Sequence, residues 1–370
     1  MTDLSFYAGK KVLVTGHTGF KGSWLCHILK LAGAKVTGYA LEPLTEPSLF
    51  NIAGIAEGMN SVMGDVRDFA ALRETFQQAQ PEIVFHLAAQ PLVIRSYEEP
   101  LLTYETNVMG TVNVLECIRQ TESVKSFLNI TTDKVYENKE WAWGYRENEP
   151  LDGYDPYSNS KSCSELVTHC YKKSFFANER CAISTARAGN VIGGGDFSEN
   201  RIVPDCIRAA SAGKTIQVRN PYSTRPYQHV LEPLSAYLLI AEAQYKDCKC
   251  ADWYNVGPDE GDCVTTGQLA DMFCKAWGEG IGWKNISVDG PHEANFLKLD
   301  CAKIKSRLGW QPRWHIEEAL RETVAWAKAW QQGEDIAETM EKQITQFLTM
   351  KRTEKLDKGK YTFIGGNYAL

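Results

Sequence analysis

The sequence predicts an α/β protein built on a doubly wound parallel sheet, with a smaller, discontinuous C-terminal substrate lobe. Short apolar runs alternate with amphipathic stretches of helical length through the first half of the chain, which is typical of βαβ units. The first apolar run leads directly into a glycine-rich turn, as in Rossmann sheets. After Arg187 the pattern changes to a glycine-rich loop and scattered short segments, which predicts the lobe.

Six short apolar runs before residue 188 are the candidate strands: Val12–Thr15, Val36–Ala40, Ser61–Gly64, Ile83–Leu87, Phe127–Ile130 and Ala182–Ala186. Helical patterns lie between them, among them Ser23–Ala32 and Thr106–Gln120. We expect residues 1–188 to form the nucleotide-binding domain, with a segment at about 232–262 returning to the sheet near Trp253. Residues 189–231 and 263–370 would form the substrate-binding lobe, including an extended stretch at Thr215–Arg219.

Composition excludes several classes of partner. The chain has 370 residues, 44% of them apolar, and a net charge of −6 with dispersed Lys and Arg, so we expect no nucleic-acid partner. A basic cluster near the C-terminus is interpreted as a solvated segment (Lys351, Arg352, Lys355, Lys358 and Lys360). Eleven cysteines have irregular spacing without a Cys-x-x-Cys, which predicts no metal site and a reduced, cytoplasmic protein. No apolar stretch is long enough to span a bilayer, so we expect no membrane partner.

A glycine triplet marks the predicted dinucleotide site. Gly16 permits a tight turn, Gly19 lets the backbone approach a pyrophosphate, and Gly22 allows close packing of helix on strand. The N-terminal amides of the following helix would point at the phosphates. Three more residues of this loop are candidate cofactor contacts: His17, Phe20 and Lys21. The Lys21 ammonium either neutralises the pyrophosphate or points to solvent.

The residues after the next strands indicate NAD. Ala40 stands about where an acid would bind the adenosine ribose, and the nearest acid is Glu42. No Arg or Lys immediately follows that strand to bind the 2′-phosphate of NADP. Asp65, with Val66 beside it, is expected to accept from the adenine amine. Small residues after the fourth strand would leave room beside the nicotinamide (Leu87, Ala88 and Ala89).

Tyr157 and Lys161 form the candidate redox acid/base pair. The Tyr-x-x-x-Lys pattern occurs three times in the chain, so its surroundings decide. Here Asp155 and Pro156 supply an N-cap and a first-turn proline, and the i, i+4 spacing puts the two side chains on one helix face. The ammonium and a positive nicotinamide are expected to lower the phenol's pKa from about 10 towards neutrality, so that it can accept a proton. Thr132, at the end of the fifth strand, would hydrogen-bond the same substrate hydroxyl.

Five segments carry a family resemblance: Thr15–Gly22, His86–Gln90, Thr131–Tyr136, Arg187–Asp196 and Arg225–Val230. On these the chain resembles the extended short-chain dehydrogenase/reductases, and within them the nucleotide-diphosphate-sugar 4,6-dehydratases of the CDP-glucose branch. The resemblance implies that bound NAD takes hydride from C4 of the hexose, that water is lost across C5 and C6, and that hydride returns to C6. It also implies a role in deoxysugar biosynthesis, such as that of lipopolysaccharide O-antigen.

The same resemblance assigns the elimination pair. It implies that Asp133 is the acid for the departing 6-hydroxyl and that Lys134 removes the C5 proton, where dTDP-sugar relatives have Glu. Lys134 could do so only if its pKa falls several units from about 10.4. A water relay, with Lys134 stabilising an enolate, is the alternative.

The resemblance also implies a set of substrate contacts and an assembly. Asn190 matches the family's substrate-contacting Asn, and Arg225 matches its diphosphate Arg. Further candidates for the diphosphate are Arg201 and Arg219, and His229 is either a supporting contact or a satisfied buried imidazole. A homodimer or a dimer of dimers is expected, with the helices at 106–120 and 157–171 in the interface.

Two other functions remain open. A sugar-nucleotide 4-epimerase would need Thr132, Tyr157 and Lys161 but no elimination pair, so Asp133 argues against it. A non-catalytic NAD-binding regulatory module would typically lack the Tyr–Lys pair, which is intact here.

Overall fold

The computed structural model describes residues 4–177, 180–278, 280–286 and 296–350, so the basic C-terminal cluster lies outside the described residues. The strands in chain order are β1 Lys11–Thr15, β2 Lys35–Ala40, β3 Asn60–Met63, β4 Ile83–His86, β5 Ser126–Thr132, β6 Ala182–Ala188, β7 Val191–Ile192, β8 Ile216–Val218, β9 Thr224–Pro226, β10 Gln228–His229, β11 Trp253–Val256, β12 Cys263–Thr265 and β13 Trp283–Asn285.

The α-helices are α1 Phe20–Leu31, α2 Leu49–Ile52, α3 Phe69–Ala79, α4 Val93–Glu98, α5 Pro100–Tyr104, α6 Gly110–Gln120, α7 Pro156–Phe175, α8 Ile202–Ser211, α9 Leu231–Lys246, α10 Thr266–Trp277, α11 Ala302–Leu308, α12 Ile316–Gln331 and α13 Ile336–Thr349. Short 3₁₀ turns occur at Leu4–Tyr7, Asp133–Val135, Cys248–Cys250 and Glu260–Asp262, and a π-helical segment spans Glu105–Met109.

Seven parallel strands form the central sheet, in the order β11-β6-β5-β4-β1-β2-β3. The chain winds outward from β1 to β3 in one direction and from β4 to β6 in the other. The reversal between β1 and β4 opens a crevice at the carboxyl ends of the strands, which is where ligands bind in such sheets. The predicted doubly wound parallel sheet is confirmed.

Both faces of the sheet are covered. Leu13, Val84 and Phe127 pack into one apolar cluster with residues of α3 and α6, while Val14 and Phe85 pack into another with α1 and α9. Side chains alternate between faces along a strand, so runs that are apolar throughout are what a sheet buried on both sides requires.

Short strand pairs lie beyond β6. β7 pairs with β10 and β8 with β13 in parallel, whereas β9 and β12 are antiparallel. The predicted return near Trp253 corresponds to β11, which pairs with β6 at the sheet edge. The division of the chain into a nucleotide-binding domain and a discontinuous lobe stays a prediction.

Two predicted helix starts are wrong. The helix expected from Ser23 begins at Phe20, because Gly19 already has the extended conformation of an N-cap. The helix expected from Thr106 is preceded without a break by helical residues from Pro100, a residue whose fixed φ suits the first turn. In the described ranges no helix is both long and apolar enough to cross a membrane. All eleven cysteines are described, and each is a free thiol.

Candidate active site

The turn between β1 and α1 has the shape of a phosphate cradle. Gly16 has φ +76°, and a Cβ there would lie 2.7 Å from the Ala88 nitrogen. A Cβ on Gly22 would lie 2.1 Å from the Gly16 oxygen. Gly19 is the N-cap of α1 and has no side-chain cap, so the first-turn amides are left for a ligand. Gly16 and Gly22 thus have the steric reasons expected of a dinucleotide cradle, whereas a Cβ on Gly19 would make only an ordinary 3.4 Å contact with the Gly16 oxygen.

The His17 ring lies behind the cradle. Its Nε2 is 2.7 Å from Ser61 Oγ, and its ring packs edge-on against Phe50 and over Gly38. Burial lowers the pKa of His17 to about 4, so the imidazole is neutral. Any contact between His17 and the cofactor would therefore be made by the His17 backbone.

Two further side chains of α1 flank the catalytic residues. The Phe20 ring lies beside the loop at Gly193. The Lys21 ammonium is 5.9 Å from the centre of the Tyr237 ring. Burial and the nearby Arg201 lower the pKa of Lys21 to about 8, while the Asp133 carboxylate opposes them. Of the two alternatives for Lys21, a solvent-pointing ammonium does not fit these surroundings.

The predicted adenine contact is already engaged. Asp65 Oδ2 accepts from Arg67 Nη2 at 2.6 Å and Oδ1 accepts from the Arg67 amide at 2.9 Å. Arg67 lowers the pKa of Asp65 accordingly. Val66 is buried against Gly110. Asp65 would have to share its carboxylate between Arg67 and the adenine amine, and that contact stays a prediction.

The loop after β4 borders the cradle from the other side. The Leu87 amide donates to the Thr15 carbonyl at 3.1 Å, and the Ala88 amide donates to Thr15 Oγ1 at 3.2 Å. Ala88 and Ala89 are half-buried. These small residues lie next to Gly16, where the sequence predicted room for the nicotinamide half.

α7 begins as predicted and presents Tyr157 and Lys161. Asp155 accepts from the Ser158 amide at 2.9 Å, and Pro156 occupies the first turn. Lys161 is 4% exposed, and its Nζ donates to the Ile130 carbonyl at 3.2 Å. Burial, with help from the Lys21 charge, lowers the pKa of Lys161 to about 7. The lysine therefore titrates near neutrality.

The protein's own groups do not lower the pKa of the Tyr157 phenol, and the expected lowering, which includes a bound nicotinamide, stays a prediction. Burial raises the pKa of Tyr157 to about 12, although the Thr132 hydroxyl and the Arg201 charge oppose the rise. The Lys161 ammonium donates to the Ile130 carbonyl. Desolvation of the phenolate outweighs its neighbours here.

The end of β5 supplies a buried carboxyl. Thr132 Oγ1 donates to Asp133 Oδ1 at 2.9 Å and accepts from the Lys134 amide at 3.4 Å, which caps the 3₁₀ turn. Asp133 is 2% exposed, and its Oδ2 has no hydrogen-bond partner among the described residues. Burial raises the pKa of Asp133 against the opposing charges of Lys134 and Arg225. The Asp133 carboxyl therefore holds a proton more readily than an exposed aspartate does, as a proton donor requires.

Two arginines lie near the catalytic side chains. Arg225 is buried on β9, with its Nη1 donating to the Thr224 carbonyl at 3.2 Å, and its charge acts on Asp133. Arg201 pairs with Asp196 at 3.1 Å and acts on both Lys21 and Tyr157. Both are therefore near the catalytic residues.

The remaining substrate candidates differ in their surroundings. The half-buried Asn190 accepts from the Gln228 amide at 2.9 Å through its carbonyl, beside β7. Arg219 is 41% exposed and donates to Asn200. His229 is fully buried, with its ring edge-on to Trp24 and Trp314. His229 Nδ1 accepts from the Leu231 amide at 3.3 Å, but its Nε2 has no hydrogen-bond partner among the described residues, so the imidazole is buried but only half satisfied.

Sequence reasoning missed a buried ion pair behind the catalytic helix. Arg187 Nη2 donates to Glu165 Oε2 at 2.9 Å, with both side chains fully buried. Thr131, next to Thr132, donates to Glu165 Oε1 at 2.5 Å, and Tyr136 accepts from Arg187 at 2.8 Å. The available signal was the spacing of Glu165, which is four residues after Lys161 on the same helix face.

Sequence comparison finds relatives over most of the chain. Residues 13–323 match the model of the family described as GDP-mannose 4,6 dehydratase. The chain is 49% identical over 355 residues to the CDP-glucose 4,6-dehydratase of Salmonella typhimurium, covering 94% of this chain and 99% of that protein. It is 27% identical to the dTDP-glucose 4,6-dehydratase of the same organism, covering 85% of this chain and 92% of that protein.

Solved structures share the fold. The dTDP-glucose 4,6-dehydratase of Bacillus anthracis in complex with NAD has a TM-score of 0.75 at 21% identity, covering 89% of this chain and 100% of that chain. The UDP-glucose 4-epimerase of Thermus thermophilus in complex with NAD has a TM-score of 0.75 at 25% identity, covering 86% of this chain and 98% of that chain.

Proposed function

The chain belongs to the GDP-mannose 4,6 dehydratase family, and on that premise we propose that it catalyses the NAD-dependent 4,6-dehydration of CDP-glucose. The products are CDP-4-dehydro-6-deoxyglucose and water. The observation that carries this proposal is the buried Asp133 carboxyl beside Tyr157 and Lys161. An epimerase needs no such acid, and a non-catalytic module needs none of the three. The 49% identity to a CDP-glucose 4,6-dehydratase supports the choice of nucleotide.

Each catalytic residue has one task in this reaction. NAD, which the β1–α1 turn and the loop after β4 would hold, would supply the hydride acceptor for C4 and the hydride donor for C6. Tyr157 takes the proton of the 4-hydroxyl in its phenolate form, which the Thr132 hydroxyl and the Arg201 charge favour and a positive nicotinamide would favour further. The C4 carbonyl acidifies the C5 hydrogen, which a base then removes. Asp133 protonates the departing 6-hydroxyl, a task that its raised pKa supports.

The residues of the β1–α1 turn and the loop after β4 would hold the cofactor. The glycine cradle fits a pyrophosphate, because a Cβ at Gly16 or Gly22 would close it. The half-buried Lys21 supplies positive charge close by. Arg225, Arg201 and Asn190 are proposed to bind the substrate diphosphate and sugar. Lys134 either removes the C5 proton itself or stabilises an enolate while water relays that proton.

The assembly is proposed to be a homodimer, alone or within a dimer of dimers. α5 lies beside α7, with the Tyr104 hydroxyl 3.0 Å from Asn159 Oδ1. Large apolar side chains of these helices and of the π-helical segment are exposed, namely Leu101, Met109 and Leu166. A second copy of the chain would bury them, as expected of a self-complementary interface.

Cellular context follows from the chemistry. Free cysteines throughout fit a reducing compartment, and we propose a cytoplasmic enzyme. We propose that its product enters deoxysugar biosynthesis and is used to make lipopolysaccharide O-antigen.

One incubation tests the function. The purified protein with NAD is offered CDP-, dTDP-, UDP- and GDP-glucose, and the products are weighed by mass spectrometry. Loss of one water from CDP-glucose, with deuterium moving from C4 to C6, is the expected result. A product of unchanged mass with inverted C4 would instead identify an epimerase. No turnover of any sugar nucleotide would favour the binding module.

A further inference from the structure

Arg67 holds the Asp65 carboxylate through three hydrogen bonds. Its Nε and Nη2 donate to Asp65 Oδ2 at 2.9 and 2.6 Å, and its backbone amide donates to Asp65 Oδ1 at 2.9 Å. Its third nitrogen, Nη1, donates to Glu105 Oε2 at 3.2 Å. The guanidinium is therefore fixed between two carboxylates, and in turn it fixes the orientation of the Asp65 side chain.

These bonds leave a defined acceptor on Asp65. Each oxygen of an ionised carboxylate can accept about two hydrogen bonds. The guanidinium fills both places on Oδ2, whereas the described residues fill one place on Oδ1. Arg67 also lowers the pKa of Asp65, so this carboxylate carries no proton at neutral pH. A ligand at Oδ1 thus meets an acceptor and no donor.

The backbone of this loop is fastened to its neighbours. The Tyr39 hydroxyl donates to the Asp65 carbonyl at 3.0 Å. Asn113 on α6 donates from Nδ2 to the Val66 carbonyl at 2.9 Å and to the Arg67 carbonyl at 3.1 Å. The loop after β3 therefore presents Oδ1 from a fixed position, as a specific contact requires.

The order of the strands indicates which half of NAD reaches this loop. Thr132, at the end of β5, lies two strands from β1 and its glycine cradle, and Asp65, just after β3, lies two strands from β1 on the other side. Neighbouring strands are about 4.8 Å apart, so each is about 10 Å from the cradle strand. Because the nicotinamide must reach the catalytic side, the purine is left with the side of Asp65.

We propose that Arg67 determines the purine specificity of the cofactor site, by fixing Asp65 as an acceptor that selects an amine over a carbonyl at purine position 6. Adenine donates from its amine to Oδ1. The carbonyl oxygen of hypoxanthine would instead face a lone pair of Oδ1. A site built to hydrogen-bond one group rejects the analogue that lacks it. The proposal rests on the predicted contact between Asp65 and adenine, and it adds the residue that sets the direction of that contact.

Binding of two dinucleotides tests this role. Isothermal titration calorimetry measures the Kd of NAD and of nicotinamide hypoxanthine dinucleotide, without any sugar nucleotide. Wild type is expected to prefer NAD by about tenfold or more, and Arg67→Met by about twofold or less, because the freed carboxylate has no single orientation. The matched control is Arg307→Met, whose arginine is 42% exposed against 39% for Arg67 and pairs with Asp252 before β11. It should keep the wild-type preference.

Asp65→Asn gives a readout that a merely structural role of Arg67 would not produce. The two guanidinium donors should hold the amide oxygen at the position of Oδ2, which places the amide nitrogen, a donor, at the position of Oδ1. Asp65→Asn is therefore expected to bind the hypoxanthine dinucleotide more tightly than NAD. Adding Arg67→Met to this variant should abolish the inverted preference, because either end of the amide can then face the purine.

Three results would overturn the proposal. Wild type that binds both dinucleotides equally well would show that Asp65 does not meet the purine amine. If Arg67→Met weakens both dinucleotides by the same factor, Arg67 only supports the loop. An Asp65→Asn preference that survives the addition of Arg67→Met would show that Arg67 does not set the direction. Thermal melting establishes that each variant is folded, and Arg67→Gln carries the same test if Arg67→Met is not. Dehydration enters none of these measurements, so its failure would be seen separately.

Discussion

At the scale of single residues, burial controls the chemistry of the site. Asp133, Tyr157 and Lys161 are all desolvated, and in each case the pKa moves in the direction that opposes charge. Burial thus makes the Asp133 carboxyl hold its proton more tightly, the Tyr157 phenol harder to ionise and the Lys161 ammonium easier to deprotonate. The electrostatics of these three residues therefore suit proton transfer better than they suit stable ion pairs.

Replacing the buried acid should separate the two halves of the reaction. Asp133→Asn keeps the shape but has no acidic proton, so C4 oxidation should proceed while loss of water falls by about 10²–10⁴. Reduced nicotinamide absorbance and product mass, measured together, check this. Asp259→Asn, on a half-buried carboxylate paired with Lys305, is the control. Asp133→Asn that forms the 6-deoxy product at near wild-type rate would remove the acid role.

Lys161 should make stability depend on pH. Its pKa is about 7 in the folded protein and about 10.4 when unfolded, so the unfolded chain binds more protons between these values. The free energy of unfolding should therefore rise with pH through that window. Relative to Lys161→Met, we expect wild type to gain about 2 kcal/mol from pH 7 to 9 in urea denaturation, at 1.36 kcal/mol per pKa unit. Exposed Lys35→Met should follow wild type. Parallel curves for wild type and Lys161→Met would contradict the lowered pKa.

At the scale of elements, one buried network connects the catalytic helix to three strands. Glu165 on α7 receives hydrogen bonds from Thr131 on β5 and from Thr185 and Arg187 on β6. Tyr136, which accepts from Arg187, donates to Asn255 on β11 at 2.6 Å. Thr131 is adjacent to Thr132, and Glu165 is one turn from Lys161, so the network fixes both catalytic segments at once.

Removing one partner of that network should be costly. Arg187→Met leaves the Glu165 carboxylate buried without its ion pair, and we expect the free energy of unfolding to fall by about 3–5 kcal/mol. The matched control is Arg307→Met, whose arginine is 42% exposed and pairs with Asp252, with an expected change below about 1 kcal/mol. Denaturant titration measures both. Equal effects in the two variants would show that the buried pair has no special role.

At the scale of the whole molecule, local sequence patterns predicted the central sheet well but did not predict the contacts that surround it. The sheet, the glycine cradle and the start of α7 follow from sequence because apolar runs, glycines and an Asp-Pro cap act over a few residues. The sequence alone does not explain why three glycines follow one another at 193–195, whereas the structure does. A Cβ would contact Val230 at Gly193, Trp326 at Gly194 and Leu49 at Gly195. Those partners are distant in sequence, as Arg187 is from Glu165, so no local pattern could indicate them.

The proposed dimer depends on an apolar face that the single chain leaves in water. Leu166 on α7 is 54% exposed, and α5 and the π-helical segment beside it expose Leu101 and Met109. Leu166→Arg would place an unpaired charge in the interface, and we expect it to raise the dimer dissociation constant by about a hundredfold, or about 2.7 kcal/mol. Sedimentation velocity across a dilution series measures this.

The matched control for this interface is Leu31→Arg. Leu31 lies at the end of α1, is 44% exposed and is outside the proposed face, so its replacement should leave the assembly unchanged. Thermal melting distinguishes lost association from unfolding, because an exposed leucine contributes little to the core of its own chain. If wild type sediments as a monomer, or if Leu166→Arg dimerises as tightly as Leu31→Arg, then α7 does not form the interface and another surface must be sought.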